Sequence, residues 1–321
     1  MDQIAKISPT YTEIIKKMAQ FLKDKKWSLF KRTLLIVWPF FIFFFYFPVF
    51  ELLHKGEEVT SESPSFFMFI GGILLLGGFA TLYAYLMRQV FFIEKVIWID
   101  SFFDQKEISD AESFRIARKL FIPVIKMKVL LFLNYYLIGF IFYFGVLAGI
   151  ISAIPYVGEG LLGETTAVAL IAQLLLGPVL VWIYYYYLDI KLRYFWMIYL
   201  DRYGSDDFSY KNIKLEMFRL NEISKSASYK KIIIMNFGIA SVSAITKGII
   251  ESLTSFLEGL GSFGIAAGNS LDMFIEEYFN QAASMGKTFT KYVLYKHARA
   301  VLYDEEQIVN TSLYSIGEKD A

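Results

Sequence analysis

Residues 33–50 read TLLIVWPFFIFFFYFPVF, an eighteen-residue run without a single charge, and Leu52 and Leu53 extend it past Glu51. A helix built from this stretch is apolar on every face, so it has no polar side to offer water. Crossing a hydrocarbon layer about 30 Å thick takes roughly 20 such residues. Three more uncharged runs follow at 63–87, 129–158 and 165–188, ending respectively at Arg88, Glu159 and Asp189. Each predicts a membrane-spanning helix. In the last third, 232–246 is uncharged but short, and 259–271 is uncharged and Gly-rich. Extended through their charges to about 232–252 and 257–280, they predict a fifth and a sixth span; the alternative is a re-entrant hairpin.

The composition agrees with a lipid-embedded chain. Of 321 residues, 56% are hydrophobic, 18% aromatic and only 20% charged, against about 25% charged and 45–50% apolar for soluble domains. With 32 Lys and Arg against 31 Asp and Glu there is no basic excess to suggest a nucleic-acid partner. The absence of cysteine removes disulfides, thiolate metal sites and thiol catalysis together.

Orientation follows from the distribution of Lys and Arg. Residues 1–32 hold eight, 51–65 one, 88–128 eight, 155–165 none and 189–231 nine, and the tail from Lys287 onward holds five. This alternation predicts a cytoplasmic N-terminus and a cytoplasmic tail, which requires an even number of crossings. The expected fold class is all-α, a polytopic membrane bundle of about six transmembrane helices, or four plus a re-entrant hairpin, with cytoplasmic amphipathic helices. A bacterial inner membrane is the expected compartment. The first apolar run starts after 32 mostly polar residues and is too long for a signal-peptide core, so it is expected to stay in place as an anchor. Tyr184 to Tyr187, flanked by Trp182 and Trp196, is expected at the headgroup level.

The chain is expected to form one integral membrane domain over 1–321. Charged amphipathic helices are predicted at about 11–31, from Ser109 and at about 206–226. A capping-box spacing marks the second, Ser109-Asp110-Ala111-Glu112. Their spacing of about 97 residues divides the chain into three units of like pattern, 11–88, 109–188 and 206–280, each an amphipathic helix followed by a membrane hairpin. A cytoplasmic C-terminal helix is expected over 285–303. Such basic helices suit an anionic membrane surface or a docked protein.

Catalytic groupings are scarce. His54 and His297 are the only histidines and fall on opposite predicted sides of the membrane, so a histidine metal site or a Ser-His-Asp triad within one chain is not expected. No phosphate-binding or dinucleotide motif occurs, and no cofactor is expected. The third hairpin alone carries ionisable groups inside its spans. Asn236, Ser243, Lys247 and Glu251 recur at seven, four and four residues, along one helical face. Asn269, Asp272, Glu276 and Asn280 form a similar stripe. Charges in a span face a bundle interior or a hydrated cavity, because lipid exposure costs several kcal/mol. Lys247 is expected to be neutralised in part by Glu251 one turn on. These residues form a candidate polar pathway or subunit interface, Asn236, Ser243, Lys247, Glu251, Asp272 and Glu276. The expected function is a non-enzymatic scaffold or subunit of a membrane complex, with the lipid bilayer and other subunits or further copies as partners. The alternative is a transporter, channel or lipid-handling permease.

Overall fold

The computed structural model describes residues 9–55, 63–153, 161–203, 208–254, 257 and 260–317, without the side chains of 150–175, 225–228, 251, 253, 254 and those beyond 302. The described chain is helical, with no strand among the described residues. The helices are α1 (Tyr11–Leu53), α2 (Pro64–Phe103), α3 (Asp110–Leu131), a π-turn (Phe132–Tyr136), α4 (Leu137–Ala153), α5 (Leu161–Lys191), α6 (Phe195–Asp201), α7 (Tyr210–Ile223), α8 (Lys225–Thr254) and α9 (Gly261–Gly317).

Four stretches are long and apolar enough to cross a membrane, Tyr11–Leu53, Pro64–Phe103, Asp110–Gly149 and Tyr229–Ile250. The uncharged run 165–188 lies in α5, where side chains are described only from residue 176. The chain divides into two compact units, residues 1–121 with 223–321, and residues 122–222.

In the first unit, the segments expected as an amphipathic helix (11–31) and a span (33–50) lie in one continuous helix. α1 starts at a full capping box, in which Glu13 N donates to Thr10 Oγ1 (3.2 Å) and Thr10 N donates to Glu13 Oε2 (2.8 Å). It then runs 43 residues, about 65 Å at the helical rise and roughly twice the hydrocarbon thickness. Pro39 and Pro48 sit inside it without ending it. α2 opens with Ser63 capping and Pro64 in the first turn, where a missing N–H costs nothing. It closes on Gln105 at φ 54°, with Lys106 N donating to Ser101 O (2.9 Å), a left-handed stop that satisfies a terminal carbonyl.

Ring contacts fix the register. Trp38 meets Tyr83, Phe21 meets Phe102, and Phe50 meets Phe69, so α1 and α2 are antiparallel. Phe45–Phe263, Phe30–Phe274 and Phe21–Phe289 run α9 antiparallel to α1. The expected separate helix 285–303 is therefore the continuation of the expected span 257–280; nothing between them breaks 57 residues of α9. α8 is antiparallel to α9 and lies beside the first half of α1. Lys231 Nζ donates to Pro9 O (2.7 Å), and a Cβ on Gly286 would meet Ile239 and Met18 at 3.1 Å each.

Burial divides each long helix in two. Ile14, Phe21, Leu29 and Ile36 of α1, Val90 to Ile99 of α2, and Met285, Phe289, Leu294 and Tyr295 of α9 are core. Beyond them, Phe45, Leu52, Leu53, Phe67, Leu74, Leu75 and Leu82 are exposed. A surface this apolar matches lipid tails, whereas the other half is a water-type helical core.

The second unit packs α4 against α5. The π-turn loosens the carbonyls of Tyr135 and Tyr136, and Tyr184 and Tyr185 donate their hydroxyls to them at 2.8 and 3.1 Å. Half of the tyrosine run thus holds the hairpin together, while Trp182 and Tyr187 stay exposed. α6 and α7 close over an aromatic cluster in which Tyr199 meets Phe208 and Phe195 meets Tyr210.

Candidate functional site

The candidate residues of the third hairpin do not share one location. Lys247 of α8 donates to Glu276 Oε1 of α9 at 2.8 Å, with both side chains about two-fifths exposed. This partner comes from the facing helix, which brings a carboxylate to the lysine through the antiparallel register of the hairpin. Asn236 lies three turns away, 8% exposed, with no hydrogen-bond partner for Oδ1 among the described residues. Ser243 and Asp272 are half-buried. The side chain of Glu251 lies outside the described residues.

The buried polar chemistry sits next to this, on residues whose role the sequence pattern does not single out. Glu94 of α2 is fully buried. Arg32 of α1 donates to it from Nε and Nη2, 2.8 Å each, and Ser113 of α3 donates from Oγ at 2.8 Å. Trp98 Nε1 donates to Ser113 Oγ (2.9 Å), and Arg32 also reaches the Asp110 carbonyl (2.9 Å) while lying 4.5 Å over the Phe114 ring. The two-pronged geometry suits guanidinium and carboxylate, and it pins the start of α3 to the α1–α2 hairpin.

A second line of polar contacts joins the parallel helices α2 and α9. Arg88 donates to both oxygens of Glu277 (2.9 and 2.5 Å), which also accepts from Gln281. Lys95 Nζ reaches Gln281 Oε1 (3.2 Å) and Ser284 Oγ (2.7 Å). Further along, Tyr292 donates to Asp100, and Lys296 bridges Asp100 (3.3 Å) and Asp104 (3.2 Å). The hydrogen bond from Lys296 holds Asp104 below the usual carboxylate range. The spacing of Arg88 and Lys95, seven apart, and of Glu277, Gln281 and Ser284, four and three apart, is the one sequence signal that marks these faces. These contacts are closed and fully engaged, which suits a rigid bundle more than a reacting centre.

One cavity stands apart from the polar contacts. Near the far end of α1, an open cleft of about 880 Å³ is lined by Phe43, Phe47 and Phe50, by Phe69 of α2, and by Ile265 and Ala266 of α9. Among the described residues no group of three His, Asp or Glu is placed to hold a metal ion. No protein-family model matches the chain, and no match is found among curated proteins or solved structures.

Proposed function

We propose that the chain is a multi-pass membrane protein acting as a non-enzymatic scaffold or subunit of a membrane complex. The observation that carries this reading is the outward face of α8. Phe237 is 75% exposed, and Ile234, Val242, Ile245 and Ile249 are all more than half exposed. This face lies at the level of α1's first half, where Lys16, Lys17, Lys23 and Lys26 are exposed. One helix is dressed for water, and its neighbour at the same height is dressed for an apolar partner. A patch of this kind marks an interaction surface. In native membranes the chain then migrates as part of a larger assembly on native gels. Phe237→Asp with Ile245→Asp releases it as a folded smaller species, and an unchanged migration removes the reading.

The same register bears on the number of crossings. Lys231 of α8 reaches Pro9 at the start of α1, and Ile239 of α8 and Met18 of α1 both approach Gly286 of α9, while Phe263 of α9 reaches Phe45. This supports four crossings plus a hairpin of α8 and α9 that dips into the bilayer from one side, in preference to six full spans. Both termini then lie on one side, the cytoplasmic side of a bacterial inner membrane by the Lys and Arg distribution.

A transport role is the second reading, favoured by the Lys247–Glu276 pair and by the buried amide of Asn236. It requires that Lys247→Ala and Asn236→Leu abolish function at equal levels of folded protein. Retained function in both variants leaves these polar groups a structural part only.

A further inference from the structure

We infer that the cavity near the end of α1 is a binding site for one phospholipid with an amine-bearing zwitterionic headgroup. The inference rests on the chain's placement in a membrane and on neither functional reading above. Three observations carry it.

The first is the wall. Five phenylalanine rings with Ile265 and Ala266 line a space of about 880 Å³, within the range of small-molecule pockets, about 300–1,000 Å³. Such a lining is mostly apolar and offers an acyl chain dispersion contacts, with Ser262 and Asn269 as polar members beside Ile265 and Ala266. The second is its position. The cavity lies where the uncharged run of α1 gives out into Glu51, His54 and Lys55, and the exposed Leu52 and Leu53 in that turn keep it at the lipid surface.

The third is the chemistry of the mouth. Glu51, His54 and Lys55 belong to the lining at this end of α1, and Glu51 and Lys55 are exposed. A carboxylate and an ammonium four residues apart meet the two charges of a phosphoethanolamine group, Glu51 taking the ammonium and Lys55 the phosphate. His54 stacks on Phe50 at 4.1 Å, and its Nδ1 shares a 3.1 Å contact with the Phe50 carbonyl. That contact assigns the proton to Nδ1 and leaves Nε2 for the ligand. An anionic headgroup lacks the charge that Glu51 recognises, and a trimethylammonium group lacks the N–H donors.

The test uses the full chain in vesicles of equal phosphatidylethanolamine, phosphatidylglycerol and phosphatidylcholine, followed by detergent extraction, washing and native mass spectrometry of retained lipid. One phosphatidylethanolamine is expected to remain, favoured over each of the others by about tenfold, the worth of one charge-assisted hydrogen bond. Glu51→Gln removes the preference for phosphatidylethanolamine over phosphatidylcholine, and Lys55→Ala lowers retention of all three by about tenfold. Both residues are exposed, so an unchanged melting temperature is expected in each variant. No retained lipid, a preference for phosphatidylglycerol, or a retained composition that neither substitution alters overturns the assignment.

Discussion

Arg32 and Glu94 face each other across α1 and α2 with two 2.8 Å hydrogen bonds, the carboxylate fully buried and the guanidinium side chain 15% exposed. They lie just where the apolar half of each helix passes into the half with a water-type core. An ion pair in such a place is held by geometry and by its extra partners, Ser113 and the Asp110 carbonyl, because the attraction alone does not offset desolvation.

Removing one partner leaves the other charge buried. Arg32→Met is expected to destabilise the folded chain by about 3–5 kcal/mol, read as a lowered melting temperature in detergent. The double variant Arg32→Met with Glu94→Leu is expected to recover most of that loss. Equal melting of the single variant and the parent would show that the pair contributes nothing.

His297 gives the bundle a pH response. Burial, with Lys231 adding to it, holds its imidazole below the ordinary value. The unfolded chain therefore takes up the proton first as pH falls through about 6.5, and acid shifts the balance toward unfolding. Stability is complete above that pH and declines below it until the folded-state value is passed. His297→Gln is expected to flatten this slope in a melting-temperature series from pH 7.5 to 5.5; a slope unchanged by the substitution refutes it.

Gly286 of α9 lies where side chains of α1 and α8 both approach it. A Cβ there would meet Ile239 Cδ1 and Met18 Sδ at 3.1 Å, both ends of flexible side chains. Gly286→Ala is expected to be close to neutral, since helix propensity returns up to about 1 kcal/mol. Gly286→Leu has no room and is expected to cost about 1–3 kcal/mol. Comparable melting of the leucine and alanine variants would mean that the three helices are looser than this contact implies.

The chain has no cysteine, so single cysteines report topology without background. Lys55→Cys is expected to react with a membrane-impermeant maleimide added from outside intact cells. Leu257→Cys, at the tip of the α8–α9 hairpin, is expected to stay unlabelled from that side. Labelling of both from outside would support six full spans in place of the dipping hairpin.

The residues that sequence reading picks out and those that build the polar interior differ for a physical reason. Lys247 draws notice because it interrupts an apolar run, yet its partner, Glu276, is set by the register of two helices. Glu94 and Lys95 follow Arg88 in a stretch that reads as ordinary membrane-adjacent charge. Only the packing of α1, α3 and α9 around them makes Glu94 a buried anchor and gives Lys95 its partners Gln281 and Ser284. The capping box at Thr10 and the Ser109 cap, by contrast, are local and belong to the chain itself.

Sequence alone determined that this chain is helical and that long stretches of it must avoid water, because uncharged runs such as 33–50 have no polar face in any fold. It also led to the expectation that the basic segments share one side, since charge is carried by composition. Tertiary structure decided the rest. It fused amphipathic segments and spans into single long helices, placed α8 beside the lysine-bearing half of α1, paired Arg32 with Glu94 and opened a phenylalanine-lined cavity. Each of these depends on the relative register of helices distant in sequence, and register is a property of side chains meeting across a gap, which no single segment encodes.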